Sequence, residues 1–141
     1  MNQELLMSIR RHWTWANWIK KQLAKELEAF EIDKFELEHW FINPPGVYMC
    51  VWYGLLFAVC EGLKDGGSAV PEAQKEIDEL YESLHLFRNA TFHVQRRYWS
   101  NKLLGIMKNK GSATKIHHIH EAIGKWLLAQ LPVREAPPQA T

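Results

Sequence analysis

The sequence predicts an all-α protein, and three observations support this fold class. Apolar residues recur at three- and four-residue steps over most of the chain, which is the spacing of one face of an α-helix. Glycine and proline cluster between these periodic segments, where helices end. The 141 residues are 47% hydrophobic, enough to build the core of one domain without disulfides or a metal. We therefore expect a single helical domain at residues 1–131.

The first third of the chain predicts one long helix and one short element. The helix runs from about Gln3 to Phe30. Its stripe of three- and four-residue steps consists of Leu5, Ile9, Trp13, Ala16, Ile19 or Lys20, Leu23, Leu27 and Phe30. Asp33 and Glu36 have the spacing of a capping box, which predicts a short element to Ile42, although alternating apolar residues also allow a strand there. The following Asn-Pro-Pro-Gly sequence at 43–46 is expected to interrupt the chain.

The central segment predicts a core helix from Val47 to Lys64, because it is apolar on nearly every side. Its uninterrupted apolar run is shorter than the roughly 20 residues that cross a bilayer, so we expect no membrane anchor. Cys50 and Cys60 would lie roughly 15 Å apart along this helix, too far to form a disulfide. Two buried free thiols and the lack of a visible secretory signal predict a cytoplasmic protein.

The second half of the chain predicts three more helices. Pro71 suits the first turn of the third helix, whose apolar stripe leads to Phe87. The fourth helix is marked by Trp99, Leu103, Ile106 and Met107, and the Gly111-Ser112 pair ends it. The apolar positions of the last helix are Ile116, Ile119, Ile123, Trp126 and Leu127. Residues 132–141 are polar and rich in proline, and we expect a disordered tail.

Charge is strongly segregated, although the net charge is only +1. Residues 22–82 contain thirteen acidic residues against four Lys and Arg, and residues 83–120 contain no acidic residue. The cations of this basic block are Arg88, Arg96, Arg97, Lys102, Lys108, Lys110 and Lys115. Such a block either attracts a polyanion or faces the acidic segment within the fold or across an interface. Charge alone leaves both interpretations open.

The segment from Arg88 to His93 is the strongest candidate site. His85, Asn89 and His93 are spaced at i, i+4 and i+8, so they would share one face of a continuous helix. Arginine binds phosphate oxygens, and histidine exchanges protons near neutral pH, which are the requirements of phosphodiester transesterification in RNA. Arg88 and His93 differ by roughly 140° in helical azimuth, so a bend, arginine reach or a second copy must bring them together. The alternative is that Arg88 pairs with an acidic residue and His93 lies in an interface.

Residues 84–95 also resemble the signature of a known family. Their sequence is Leu-His-Leu-Phe-Arg-Asn-Ala-Thr-Phe-His-Val-Gln. This segment resembles the motif of the HEPN superfamily, in which arginine is followed after four to six residues by histidine, commonly with asparagine directly after the arginine. Residues 52–63 resemble the apolar helix that precedes the motif, and residues 120–127 resemble a closing helix. The similarity covers roughly residues 47–130.

The resemblance implies a four- to five-helix up-and-down bundle, a homodimer and a metal-independent ribonuclease without a cofactor. It implies that Arg88 binds the scissile phosphate, His93 transfers protons and Asn89 holds the site in register. His85, Arg96 and Arg97 are the expected substrate-binding residues. Many members are toxins or antiviral factors with a neutralising partner.

The same family also implies alternatives. Some toxin members carry a tyrosine two residues after the histidine, and a partner nucleotidyltransferase modifies this tyrosine. This chain has Gln95 at that position, which argues against a partner of that kind. Other members keep the bundle and bind nucleotide, RNA or protein without cleaving, so the fold alone does not decide activity.

Three further features allow more than one interpretation. A metal site at His117, His118, His120 and Glu121 is disfavoured, because no second ligand cluster is visible. Glu61 is expected to meet solvent at a helix end rather than to contact the site. The first helix contains Trp13, Trp15 and Trp18. We expect these tryptophans to serve the core and an interface rather than base stacking, because they lie outside the basic block.

Overall fold

The computed structural model describes residues 1–31 and 36–130, with only the backbone described at residues 37 and 38. Within these ranges the chain forms helices and no strand, which confirms the all-α fold class. The five α-helices are α1 (Gln3–Glu28), α2 (Pro44–Asp65), α3 (Gln74–Phe92), α4 (Asn101–Lys108) and α5 (Ser112–Gln130). A 3-10 helix, Leu37–Ile42, precedes α2. The expected tail at 132–141 lies outside the described residues.

The core is built around α2, which packs against α1 on one side and α3 on the other. Leu56, Phe57 and Val59 of α2 are buried almost completely. Leu80 and Phe87 of α3 are fully buried against it. The arrangement agrees with the prediction of a central apolar helix.

Two helix starts differ from the predictions. The helix α2 begins at Pro44, three residues earlier than expected, because proline lacks an N–H group and the first turn of a helix does not need one. The helix α3 begins at Gln74 rather than near Pro71. There the side-chain oxygen of Gln74 accepts a hydrogen bond from the Val70 N–H at 2.9 Å, so a separate turn precedes the helix.

The short element before α2 is a 3-10 helix and not a strand. Its N-terminal flanking residue is Glu36, whose carboxylate lies 2.7 Å from the imidazole of His39. The expected capping box is only partly visible, since Asp33 lies outside the described residues. No side-chain cap bond is formed by Glu36 itself.

The end of α2 is fixed by backbone hydrogen bonds. The N–H of Ser68 donates to the carbonyl of Leu63 at 2.9 Å, and the N–H of Gly67 donates to Lys64 at 3.0 Å. This pair of bonds is the Schellman motif, which requires a left-handed residue after the helix. Gly67 supplies it with φ of 66°. The sharp turn sends the chain back toward α3.

Cys50 and Cys60 are buried free thiols, as the sequence predicts. Burial raises the pKa of the Cys50 thiol to about 11 and that of Cys60 to about 12. Both side chains are therefore neutral and unreactive as thiolates at physiological pH.

By length and composition, α2 could cross a membrane, and it is the single helix with this property among the residues described. In its most apolar window 56% of the residues are buried inside the bundle. A core helix of a soluble protein has the same character. The absence of a membrane anchor stays a prediction.

Two glycines provide a test of the packing between α1 and α5. A methyl group on Gly124 would lie 2.5 Å from the Trp13 ring, whereas a methyl group on Gly105 in α4 would meet nothing within 4 Å. We expect Gly124→Ala to lower the free energy of unfolding by about 1–3 kcal/mol, because the indole must move. Gly105→Ala should raise it by up to about 1 kcal/mol, because alanine favours a helix. Chemical denaturation of both variants measures the difference, and equal effects would contradict the tight contact.

Candidate functional site

Arg88 lies on α3 against the surface of α2. Its guanidinium carbon is 4.8 Å from the centroid of the Phe57 ring, and one guanidinium nitrogen is 3.4 Å from a carboxylate oxygen of Glu61. The Arg88 side chain keeps 31% of its surface exposed. A ligand can therefore reach the guanidinium, but it meets a carboxylate already in place.

Asn89 connects Arg88 to His85 through its side-chain amide. The second guanidinium nitrogen of Arg88 donates to the Asn89 Oδ1 at 3.2 Å. The Asn89 Nδ2 then faces the His85 Nε2 at 3.4 Å and donates to it. An imidazole nitrogen that accepts carries no proton, so the proton of neutral His85 is on Nδ1, which faces the Glu82 carboxylate at 3.6 Å.

The ring of Phe57 lies beneath the side chains of His85 and Arg88. His85 stacks on it with a centroid distance of 5.2 Å and an interplanar angle of 17°. Since Arg88 lies over the same ring, two side chains of α3 pack on one side chain of α2, and Asn89 joins them to each other. We call Arg88, Asn89, His85 and Glu61 the Arg88 network.

His93 lies outside this network, which corrects the interpretation that it shares a helix face with His85 and Asn89. The helix α3 ends at Phe92, and His93 has extended dihedrals of −124° and 129°. Its N–H donates to the Asn89 carbonyl at 3.0 Å, and its carbonyl accepts from the Gln95 side chain at 2.8 Å. The imidazole is exposed, and no contact joins it to Arg88 among the described residues.

Arg96 and Arg97 lie in the loop between α3 and α4, and both side chains are exposed. Neither forms an ion pair with any residue that the structure describes. A shallow cavity of about 300 Å³ lies beside them, with His93, Arg97 and Tyr98 among its lining residues. The loop therefore brings a histidine and an arginine to one recess.

The basic block uses part of its charge inside the fold. Arg88 contacts Glu61, and Lys115 contacts Glu79 at 2.6 Å. Both acidic partners belong to the segment 22–82, so for these two cations the alternative of internal pairing is correct. Exposed arginines at 96 and 97 leave the polyanion interpretation open for the loop.

Glu61 contacts the candidate site, so the expectation that it only meets solvent at a helix end is wrong. Gly54, Phe57 and Glu61 are spaced by three and four residues and form one face of α2, which faces Arg88. A methyl group on Gly54 would lie 2.9 Å from Phe92 and 3.7 Å from Arg88. The helical spacing of these three residues is the signal that could have identified the partner surface.

His120 is a core histidine, not a metal ligand. It is fully buried, and the indole N–H of Trp52 donates to its Nδ1 at 3.1 Å. Its Nε2 therefore carries the proton and donates to Asn17 Oδ1 at 3.1 Å. Burial, with the nearby Lys20 ammonium, lowers the pKa of His120 to about 4.

The remaining residues of the disfavoured metal site have other contacts. The backbone carbonyl of Glu72 lies 3.1 Å from His118 Nε2, and Glu121 pairs with Lys20 at 2.8 Å. Among the described side chains, no group of three or more His, Cys, Asp or Glu could hold a metal ion.

Comparisons with family models, with curated proteins and with solved structures found no match to this chain.

Proposed function

We propose that this protein is a metal-independent endoribonuclease of the HEPN type that cleaves RNA by attack of the 2′-hydroxyl. The observation that supports the proposal best is the Arg88 network. It presents a partly exposed guanidinium that is held by hydrogen bonds near the end of α3, and the next loop exposes a histidine beside further arginines. A cation that binds phosphate and a group that transfers protons are the requirements of this reaction.

In the proposed reaction, a base removes the proton from the 2′-hydroxyl, and the oxygen attacks the adjacent phosphorus. The bond from phosphorus to the 5′-oxygen breaks, and an acid protonates the leaving oxygen. The products are a 2′,3′-cyclic phosphate and a 5′-hydroxyl. Arg88 neutralises charge on the phosphorane, His93 transfers a proton, and Asn89 fixes the guanidinium. His85, Arg96 and Arg97 bind the substrate.

The proposal includes a homodimer, because one chain does not join His93 to Arg88. Two copies of the segment beside a two-fold axis would place two arginines and two histidines in one cleft. Phe92 is 59% exposed and Val94 is fully exposed, so apolar surface adjoins the segment. A role in defence or as a toxin with a neutralising partner protein, in the cytoplasm, belongs to the same proposal.

A second candidate is a catalytically silent module of the same type that binds nucleotide, RNA or a protein. The observation in its favour is that Glu61 and Asn89 already occupy the guanidinium of Arg88. An arginine with internal partners can serve the fold alone. The two candidates differ in whether RNA is cleaved.

The proposed reaction predicts that cleavage survives EDTA and leaves 2′,3′-cyclic phosphate ends, because the nucleophile comes from the RNA. Purified protein is incubated with structured and single-stranded RNAs, and cyclic ends are identified because they still block polyadenylation after alkaline phosphatase alone but not after acid opening of the cycle followed by phosphatase. An all-deoxy strand of the same sequence is the control and should remain intact. Activity that is lost on chelation and restored by a divalent ion would contradict the mechanism, and no cleavage of any RNA would favour the silent module.

Removal of the carboxylate beside Arg88 should tighten phosphate binding. Glu61→Gln keeps the size and an oxygen that accepts from Arg88, but it removes the competing negative charge. Because both side chains are partly exposed, we expect roughly a two- to fivefold gain in affinity for a non-cleavable RNA analogue.

The matched control for this change is Glu79→Gln, which removes a carboxylate of similar exposure that pairs with Lys115. It should leave RNA affinity unchanged. If Glu61→Gln lowers the melting temperature without any effect on RNA binding, the pair serves only the fold, and Arg88 is not the phosphate ligand.

A further inference from the structure

The outer face of α1 carries exposed tryptophans that take no part in the core. The inner face of α1 is buried through Ile9, Ala16 and Leu23. On the opposite side, Trp18 is 70% exposed and Trp15 is 49% exposed. Neighbouring exposed aromatic side chains are a feature of interaction sites.

The same face is strongly basic although it lies outside the block at 83–120, so the sequence-based expectation against base stacking does not apply to Trp15 and Trp18. Its exposed cations are Arg10, Arg11, Lys21 and Lys25. Between Glu4 and Glu26 the helix contains no acidic residue. None of these four cations forms an ion pair with any residue in the ranges 1–31 and 36–130. Their charge is therefore free to meet a partner.

Cations flank the two tryptophans along this face. Arg11, Trp18 and Lys25 are spaced by seven residues, or about two turns, so they lie almost in one line along the helix. The guanidinium carbon of Arg11 is 5.5 Å from the centroid of the Trp15 ring. Any partner that contacts the indoles also contacts the cations.

This arrangement suits single-stranded nucleic acid. Exposed indoles stack on bases of any sequence, and the flanking Arg and Lys side chains bind the phosphates. A helix that lies on a lipid surface instead has a continuous apolar sector with cations at its margins. Here Arg11 and Lys25 have nearly the same azimuth as Trp18, so no separate apolar sector exists on this face.

We propose that the outer face of α1 is a binding surface for single-stranded nucleic acid, with Trp15 and Trp18 as stacking platforms and the four cations as phosphate contacts. This surface lies on a different helix from the Arg88 network. It is also separate from the basic block at 83–120. The proposal does not depend on RNA cleavage, and it applies to the silent module as well.

Fluorescence anisotropy with a labelled short oligothymidylate tests the proposal. DNA lacks the 2′-hydroxyl, so the proposed cleavage cannot disturb the measurement. We expect the double variant Trp15→Ala/Trp18→Ala to weaken binding at least roughly tenfold, because two stacking contacts are lost. Arg11→Gln/Lys25→Gln should weaken binding and reduce the slope of log affinity against log salt by about 1.4, because two phosphate contacts are lost on a single strand.

Control variants come from α5, which lies outside both proposed binding surfaces. Leu128→Ala removes an apolar side chain that is 75% exposed, and Lys125→Gln removes an exposed cation. Neither change should affect oligothymidylate binding. Circular dichroism and thermal unfolding verify that each variant keeps the fold.

Three results would overturn the proposal. The first is unchanged oligothymidylate binding by the double tryptophan variant. The second is that vesicles of phosphatidylserine and phosphatidylcholine bind through Trp15 and Trp18 while the oligonucleotide does not. The third is that the double variant converts a dimer to a monomer in sedimentation without any change in oligonucleotide affinity per chain, which would assign the face to a second copy.

Discussion

His93→Ala is expected to reduce RNA cleavage by about 10²- to 10⁴-fold, the usual contribution of one proton-transfer group. The imidazole is exposed and lies outside α3, so its removal leaves no cavity. The free energy of unfolding should stay within about 0.5 kcal/mol of the wild type. Single-turnover cleavage of a labelled RNA, combined with thermal unfolding, measures both quantities.

Gln95→Ala is a suitable control, because the Gln95 side chain donates a hydrogen bond to the His93 backbone carbonyl rather than to its imidazole. We expect a much smaller loss of cleavage for this variant. Full activity of His93→Ala would rule out His93 as the proton-transfer group, even if the protein is a nuclease.

A mixing experiment extends the first prediction to the proposed dimer. Arg88→Ala and His93→Ala should each be inactive alone. If the cleft is shared between copies, a mixed dimer contains one intact arginine and one intact histidine, and partial activity should return on mixing. Failure to recover activity, together with a monomeric sedimentation coefficient, would contradict the shared cleft.

The second large effect is a loss of stability in mild acid, caused by His120. Its pKa is about 4 in the folded protein and about 6.5 in the unfolded chain. Between these values the unfolded chain binds a proton that the folded protein excludes. The contribution of His120 to the free energy of unfolding is fully present above pH 6.5 and falls as the pH decreases to 4. Below pH 4 it does not change further. The loss is about 3 kcal/mol, a large part of the stability of a small domain.

His120→Gln provides the test, since glutamine can accept from Trp52 and donate to Asn17 without titrating. Urea unfolding at several pH values should show a flatter dependence for this variant than for the wild type. His117→Gln is the matched control, because His117 is exposed on the same helix and should keep most of the wild-type dependence. Identical pH profiles for wild type and His120→Gln would contradict the buried neutral histidine.

The helices could be predicted well from the sequence, because burial imposes a regular spacing on apolar residues. The predicted first helix, Gln3 to Phe30, ends within two residues of the observed end. The start of α2 was missed because proline tolerates the first turn of a helix as well as a loop. The end of α3 at Phe92 was missed because neither glycine nor proline marks it.

The candidate site could be predicted only in part. Asn89 and His85 do lie one turn apart on α3, as their spacing requires, and Arg88 lies beside them. The position of His93 depends on a backbone change that no residue type signals. Glu61 was misjudged because the partner of an ion pair across two helices depends on how the helices are rotated about their axes. The inward position of His120 was visible in principle, since it is four residues after Ile116 and three before Ile123.

The bare backbone at Gly54 has a consequence for transferring the motif to other proteins. A methyl group on Gly54 would press on the tip of the Phe92 ring, so the end of α3 lies close to α2 where the α2 backbone carries no side chain. This close approach beside Arg88 depends on a residue more than thirty positions upstream of the motif. Grafting residues 88–93 alone onto another bundle would transfer the motif sequence without the close approach of the two helices. The unit that has to be transferred is the pair of helices α2 and α3, including Gly54.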